Sequence, residues 1–220
     1  MTRPLTDTET KKQGNKETRV FEPALALIEF DSIAAGLQAG DAMVKKAPIA
    51  RIVAGTVQPG HYLVLISGEV AEVEESLQAG REVGGARVID TVFLPHVHPD
   101  VISALAGGRA ARSGTALGVI ETATAPAAIR SADAGVKGAQ VALLEVRLAD
   151  GLHGQGLTLF TGEVADVEAA LEIGLGVIEP RTVINHVVIA QLHPEMNANI
   201  QHRTRFGANL SQAWLLSGDE

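Results

Sequence analysis

The sequence predicts an α/β (α+β) protein made of two tandem units, each running β-α-β-β-α-β over an antiparallel sheet. Three observations carry that prediction. The phrase SGEVAEVEE, from Ser67 to Glu75, returns as TGEVADVEA from Thr161 to Ala169, an offset of 94 residues. The self-match reaches outward from there. Ala24-Leu-Ala-Leu-Ile-Glu29 falls on Ala116-Leu-Gly-Val-Ile-Glu121, Asp41 on Asp133 and Lys45 on Lys137 at an offset of 92, and His98 on His193 at 95. Self-similarity of this kind marks a repeated structural unit. Lastly, the chain is 46% hydrophobic but only 3% aromatic, so its core is tightly packed Ala, Val, Leu and Ile, which suits thin layers. The units are expected over residues 23–107 and 115–200. A flexible extension at 1–22, a Gly-, Ala- and Ser-rich linker near 106–115 and a tail at 201–220 complete the chain.

In the first unit ALALIEF (24–30) is a short apolar run suited to a buried strand. Ser32 then caps a helix whose Ile33, Leu37, Gly40 and Val44 share one face. A strand follows from about Ile49 to Val57, and Pro59-Gly60 makes a turn. HYLVLIS resumes as a strand until Gly68. Val70, Val73 and Leu77 mark one side of a second helix that runs out near Gly84-Gly85, and ARVIDTVFLP closes the unit as a strand. The second unit repeats this order: TALGVIET, a helix from Pro126 to Lys137, VALLEVRLA, GLTLFTG, a helix carrying Val164, Val167 and Leu171, and TVINHVVIAQL. Pro126 sits in the first turn of its helix, where proline is tolerated. The offset grows from 92 to 94 between Thr56 and His61, which locates a two-residue insertion in the second copy's middle turn.

Composition excludes several classes of function. The formal charge is −8 with no basic tract, which argues against nucleic acid. No cysteine is present, so a disulfide framework, cysteine-held zinc, iron–sulfur ligation and a thiol nucleophile are all absent. Residues 1–19 lack the apolar core of a secretory signal, and no uncharged apolar run reaches the length of a membrane span. A cytoplasmic, non-membrane protein is the expectation. Glu69, Glu72, Glu163 and Asp166 fall around the first turns of the second helices, where the helix dipole stabilises negative charge by roughly 0.3–1 kcal/mol each. General acid and base work by these carboxylates is disfavoured, because no nucleophile accompanies them. No phosphate-binding loop, G-x-S-x-G or H-E-x-x-H occurs. No enzymatic role is expected.

The duplicated unit, with DAMVKKA in its first helix, a glycine-containing middle turn and SGEVAEVEE at its second helix, resembles the bacterial microcompartment (BMC) shell domain. Two such domains in one chain are similar to the tandem shell proteins, above all those of the propanediol-utilisation type, through TVQPGHYLVLISGEVAEVE and VRLADGLHGQGLTLFTGEVADVE. The resemblance covers Ala24 to about Met196. It implies a homotrimer of pseudohexameric outline that tiles beside hexameric and pentameric shell proteins, with a central pore for small polar metabolites. The implied pore-lining residues are Thr56, Val57, Gln58, Pro59, Gly60 and His61 in the first unit. In the second they are Asp150, Gly151, Leu152, His153, Gly154 and Gln155. Backbone groups of such turns govern passage as they do in channels.

Members of the propanediol-utilisation type carry a cysteine at the position of Gln58, where three such residues hold an iron–sulfur cluster. Glutamine supplies no thiolate, so no cofactor is expected and the pore is expected to be open. The resemblance further implies tile-edge contacts at Lys45 and Lys137, packing by their stems. His96 and Gln191 stand where the family often has an edge arginine. His96 and His98 share a strand face, which invites a metal reading, but no clustered carboxylate accompanies them and no metal site is expected. The competing reading is a duplicated ferredoxin-like regulatory protein that binds a small molecule, since strand order alone does not fix function.

Overall fold

The computed structural model describes residues 23–109, 114–202 and 204–205. The N-terminal extension (1–22), residues 110–113 of the linker and residues 206–220 of the tail lie outside the described residues. The first unit runs β1 (Ala24–Phe30), α1 (Ile33–Lys46), β2 (Arg51–Val57), β3 (His61–Gly68), α2 (Val70–Gly84), β4 (Val88–Leu94) and α3 (Pro99–Leu105). The second runs β5 (Ala116–Thr122), α4 (Ala125–Gly138), β6 (Ala142–Leu148), β7 (Gly156–Gly162), α5 (Val164–Gly176), β8 (Val183–Ile189) and α6 (Pro194–His202). Each forms a four-stranded antiparallel sheet, ordered β2-β3-β1-β4 and β6-β7-β5-β8.

Each unit therefore carries one α-helix beyond the expected six elements, and a single 3-10 turn (Gly85–Arg87 and Pro180–Thr182) ahead of its last strand. Pro99 and Pro194 open α3 and α6, where a missing N–H costs nothing. His98 Nδ1 accepts from the N–H of Asp100 at 3.2 Å, and His193 Nδ1 from that of Glu195 at 3.4 Å. These two histidines thus cap helices. The first strand of the hairpin begins at Arg51, not Ile49, because Ile49 closes a turn onto the carbonyl of Ala47.

The helices start where their caps direct. Ser32 Oγ accepts the N–H of Ala35 at 3.4 Å, and Thr124 Oγ1 that of Ala127 at 3.3 Å; such caps contribute about 1 kcal/mol each. The buried side of α1 is Gly36, Ala39, Gly40 and Met43. Ile33, Leu37 and Val44, which share a face in the sequence pattern, are exposed. Small residues let α1 and α2 lie close on the sheet, where Phe30, Tyr62, Val64, Ile66, Val73 and Leu77 complete the core.

A second core crosses from one unit to the other. Helix α4 lies against β4 and β1 as well as its own sheet, and α3 lies against β6. Leu25, Leu27, Val92, Val97 and Val101 of the first unit pack in one cluster with Ala125, Ile129, Val136, Val146 and Phe160 of the second. Continuous apolar burial locks the two units side by side.

Candidate functional site

The turns expected at a pore close the two central hairpins. Gln58, Pro59 and Gly60 join β2 to β3, with the Gly60 N–H bonding the Val57 carbonyl at 3.0 Å. Gly60 has φ of 115°, which a side chain would resist. Thr56 pairs with Tyr62 in the first hairpin and Leu148 with Gly156 in the second, so the second turn is longer by two residues. There the Ala149 N–H bonds the Gln155 carbonyl at 2.9 Å, and positive φ at Ala149, Gly151, His153 and Gly154 coils the chain. The two turns meet. A Cβ on Gly154 would lie 3.1 Å from Pro59 Cδ and 3.2 Å from the Gln58 carbonyl oxygen, so glycine is needed for the approach. Thr56, Gln58, Pro59, Gly60, Asp150, Gly151, His153 and Gln155 are exposed, Val57, His61 and Leu152 half-buried, and Gly154 buried.

Beneath the first turn lies a buried polar junction that sequence reasoning missed. His61 Nδ1 is 2.9 Å from Glu29 Oε1, and Glu29 Oε2 accepts the N–H of Ala125, the first residue of α4, at 2.9 Å. Thr124 Oγ1 donates to Asp90 Oδ2 at 2.6 Å. A carboxylate of one unit thus caps a helix of the other and holds the histidine at the foot of the turn. Glu29 is fully buried, and that burial pushes its carboxyl above the ordinary range, assisted by the Asp90 charge; the bonds from His61 and Ala125 pull it back down. The available signal was a carboxylate inside an apolar strand in both copies, Glu29 and Glu121.

The residues expected at a tile edge divide between two settings. Lys137 Nζ lies 2.6 Å from Asp133 Oδ2 and also bonds the His96 carbonyl, while the His98 N–H reaches Asp133 Oδ1 at 2.8 Å. Lys137 and His96 therefore meet at the junction between the units. Lys45 pairs with Asp41 at 2.5 Å on an exposed helix face, and Gln191 is exposed after β8. Among the described residues no helix is long and apolar enough to cross a membrane.

Two like units fused side by side, with their hairpin turns gathered at one place, define a tandem-domain protein of repeated sheet modules. The sequence pattern of the BMC domain matches residues 24–97 and 116–192, and the chain belongs to that family, as a tandem shell protein of bacterial microcompartments. It is 34% identical over 150 residues to the bacterial microcompartment shell protein PduT of Citrobacter freundii, covering 68% of this chain and 82% of that one. The carboxysome shell protein CcmK2 of Thermosynechococcus vestitus is 30% identical over 82 residues, covering 36% of this chain and 80% of its own. A solved microcompartment protein from Desulfitobacterium hafniense DCB superposes with a TM-score of 0.70 at 36% identity, covering 81% of this chain and 99% of that one. The regulatory ligand-binding alternative has no support among these relatives, of which the Citrobacter and Thermosynechococcus proteins are shell proteins.

Proposed function

We propose that three copies of the chain close head to tail into a flat, pseudohexameric ring that serves as a non-enzymatic tile of the microcompartment shell in the cytoplasm. One observation carries this reading: the faces that meet between the units have counterparts on the outside that remain open. Ile129 and Val136 of α4 are 0% and 8% exposed against the first unit; their counterparts on α1, Leu37 and Val44, are 56% and 43% exposed. Val92 of β4 is 1% exposed, whereas its counterpart Val187 of β8 is 44% exposed. The open α1 of one chain fits the open β8 of the next as α4 fits β4. Likewise the open α6 and β2 correspond to α3 and β6. Such a head-to-tail interface is heterologous and closes into a ring when its rotation permits.

The polar bonds repeat as well. Glu121, Asn185 and Ser32 occupy the positions of Glu29, Asp90 and Thr124, and Asp41 and Lys45 those of Asp133 and Lys137. In the ring, Glu121 accepts the N–H of the neighbour's Ile33, and Lys45 bonds the neighbour's Gln191 carbonyl. The outward stems of Lys45 and Lys137 are left to contact adjacent hexameric tiles, with pentameric shell proteins at the vertices. Six turns then surround the axis, three of Thr56–His61 and three of Asp150–Gln155. Their glycine backbone and the Gln58 amide suit small polar metabolites. Electron microscopy of the purified protein, alone and with a hexameric shell protein, tests the reading. Three-fold particles with a central opening that join mixed sheets support it; isolated monomers that never enter sheets overturn it.

A further inference from the structure

The uncovered side of the first sheet carries an apolar groove of about 740 Å³. Leu27, Leu63 and Leu65 form its floor, Val53 and Ile102 its walls, and Arg51 lies on its rim. Val53 is 68% exposed, Leu63 and Leu65 are half-buried, and Leu27 lies buried beneath them. On the second sheet Leu159, the counterpart of Leu65, is buried and packed by Leu192 and Ile200, while Val119 and Leu157, the counterparts of Leu27 and Leu63, are half-buried. An open leucine floor of this size is uncommon on a protein that stays soluble unless something covers it.

Arg205, the last of the described residues, stands at the groove's threshold. It lines a neighbouring cleft with Glu145 and Asp150, and that cleft shares Leu105 and Leu148 with the apolar groove. Thr204 anchors the chain there by donating to Glu145 Oε2 at 2.8 Å. The residues that follow read FGANLSQAWLLSGDE, and Phe206, Leu210 and Trp214 recur every four positions, the spacing of one helix face. Leu215 and Leu216 adjoin the chain's single tryptophan. From Arg205 to Trp214 an extended chain reaches up to about 30 Å, ample for a groove that begins beside Arg205.

We propose that the C-terminal segment of the same chain docks in this groove, with Trp214 and its neighbouring leucines covering Val53, Leu63 and Leu65. Asp219 and Glu220 then lie within reach of Arg51. Two other occupants fit the groove less well. In the proposed ring the neighbour's α6 approaches β2, but Met196 is its single exposed large apolar side chain among the described residues. Pro23 also borders the groove, yet the extension before it offers only Met1, Leu5, Val20 and Phe21 as large apolar side chains, without a cluster like that of Trp214, Leu215 and Leu216.

This docking does not depend on ring formation, and its test keeps the two apart. Trp214 reports directly, because no other tryptophan contributes to the emission. In the full-length protein its fluorescence is expected to be blue-shifted and protected from acrylamide. Val53→Asp, at an exposed position, is expected to red-shift the emission and abolish the protection while leaving the circular dichroism unchanged. Leu37→Asp, which opens the ring interface, is expected to retain protection in the dissociated chain. Truncation after Arg205 is expected to expose the groove to an apolar dye. Solvent-like emission in the intact protein overturns the proposal, as does protection that survives Val53→Asp. Protection lost on Leu37→Asp assigns the segment to a neighbour's groove, and protection gained only on adding another shell protein assigns the groove to that partner; either result overturns docking within the chain.

Discussion

Glu29 joins three structural tasks in one side chain: it sits inside a strand, caps α4 of the other unit and holds His61 at the foot of a turn. Its carboxyl is raised by burial, so its contribution to stability is complete below the unfolded-state value and declines as pH rises through the folded one. Glu29→Gln removes that decline. Urea denaturation of both proteins from pH 4 to pH 8 is therefore expected to find the variant's stability rising relative to the parent as pH increases. A constant difference across the series would contradict the assignment. The small residues act by a different principle. Gly36 of α1 faces Tyr62, and a Cβ there would come within 2.5 Å of the ring. The second unit exchanges the sizes, with Ala128 on the helix against Gly156 on the strand, where a Cβ would come within 2.5 Å of Ala128. Gly36→Ala overpacks this layer and is expected to cost about 1–3 kcal/mol of stability, read from the shift in urea midpoint.

At the scale of elements, α1 and β8 are open copies of the covered faces on α4 and β4. Leu37→Asp and Val187→Asp each disable one side of the proposed head-to-tail contact while altering exposed positions, where substitutions shift folding stability by roughly 0.5 kcal/mol or less. Each variant alone is expected to be monomeric by size-exclusion chromatography. Mixed together they retain one intact α1 and one intact β8, and are expected to form a one-to-one dimer. This same face marks the limit of legibility. The strands, the main helices and the Ser32 cap were readable, because alternation, helical spacing and capping are local signals. The periodicity of Ile33, Leu37 and Val44 gave an apolar face but not its partner, since burial in a core and burial by a neighbouring copy impose the same pattern. Helices α3 and α6 went unread because they are short, and His98 and His193 were read as matching positions at the end of a strand, not as caps. The longer second turn was legible from the change of offset, but its contact with Pro59 through Gly154 was not, because that contact joins residues far apart in sequence.

For the whole molecule, duplication explains why one chain carries two unlike turns. A ring of six identical units would repeat one turn six times, whereas fusion permits Gln58-Pro59-Gly60 to alternate with the longer Ala149–Gln155 segment. The junction within the chain holds Glu29, His61 and Asp90; the corresponding positions at the proposed junction between chains are Glu121, Gln155 and Asn185. Only the former places a histidine against its carboxylate. The ring is thus expected to combine two kinds of seam, one covalently fused and acid-rich, the other formed on assembly and closed largely by Leu37, Val44 and Val187. The proposed ring closes after three copies. Native mass spectrometry of the full-length protein at physiological ionic strength measures this directly. A dominant species of three chains is the predicted result, and a monomer, a dimer or an open series of oligomers without a stop at three would contradict it.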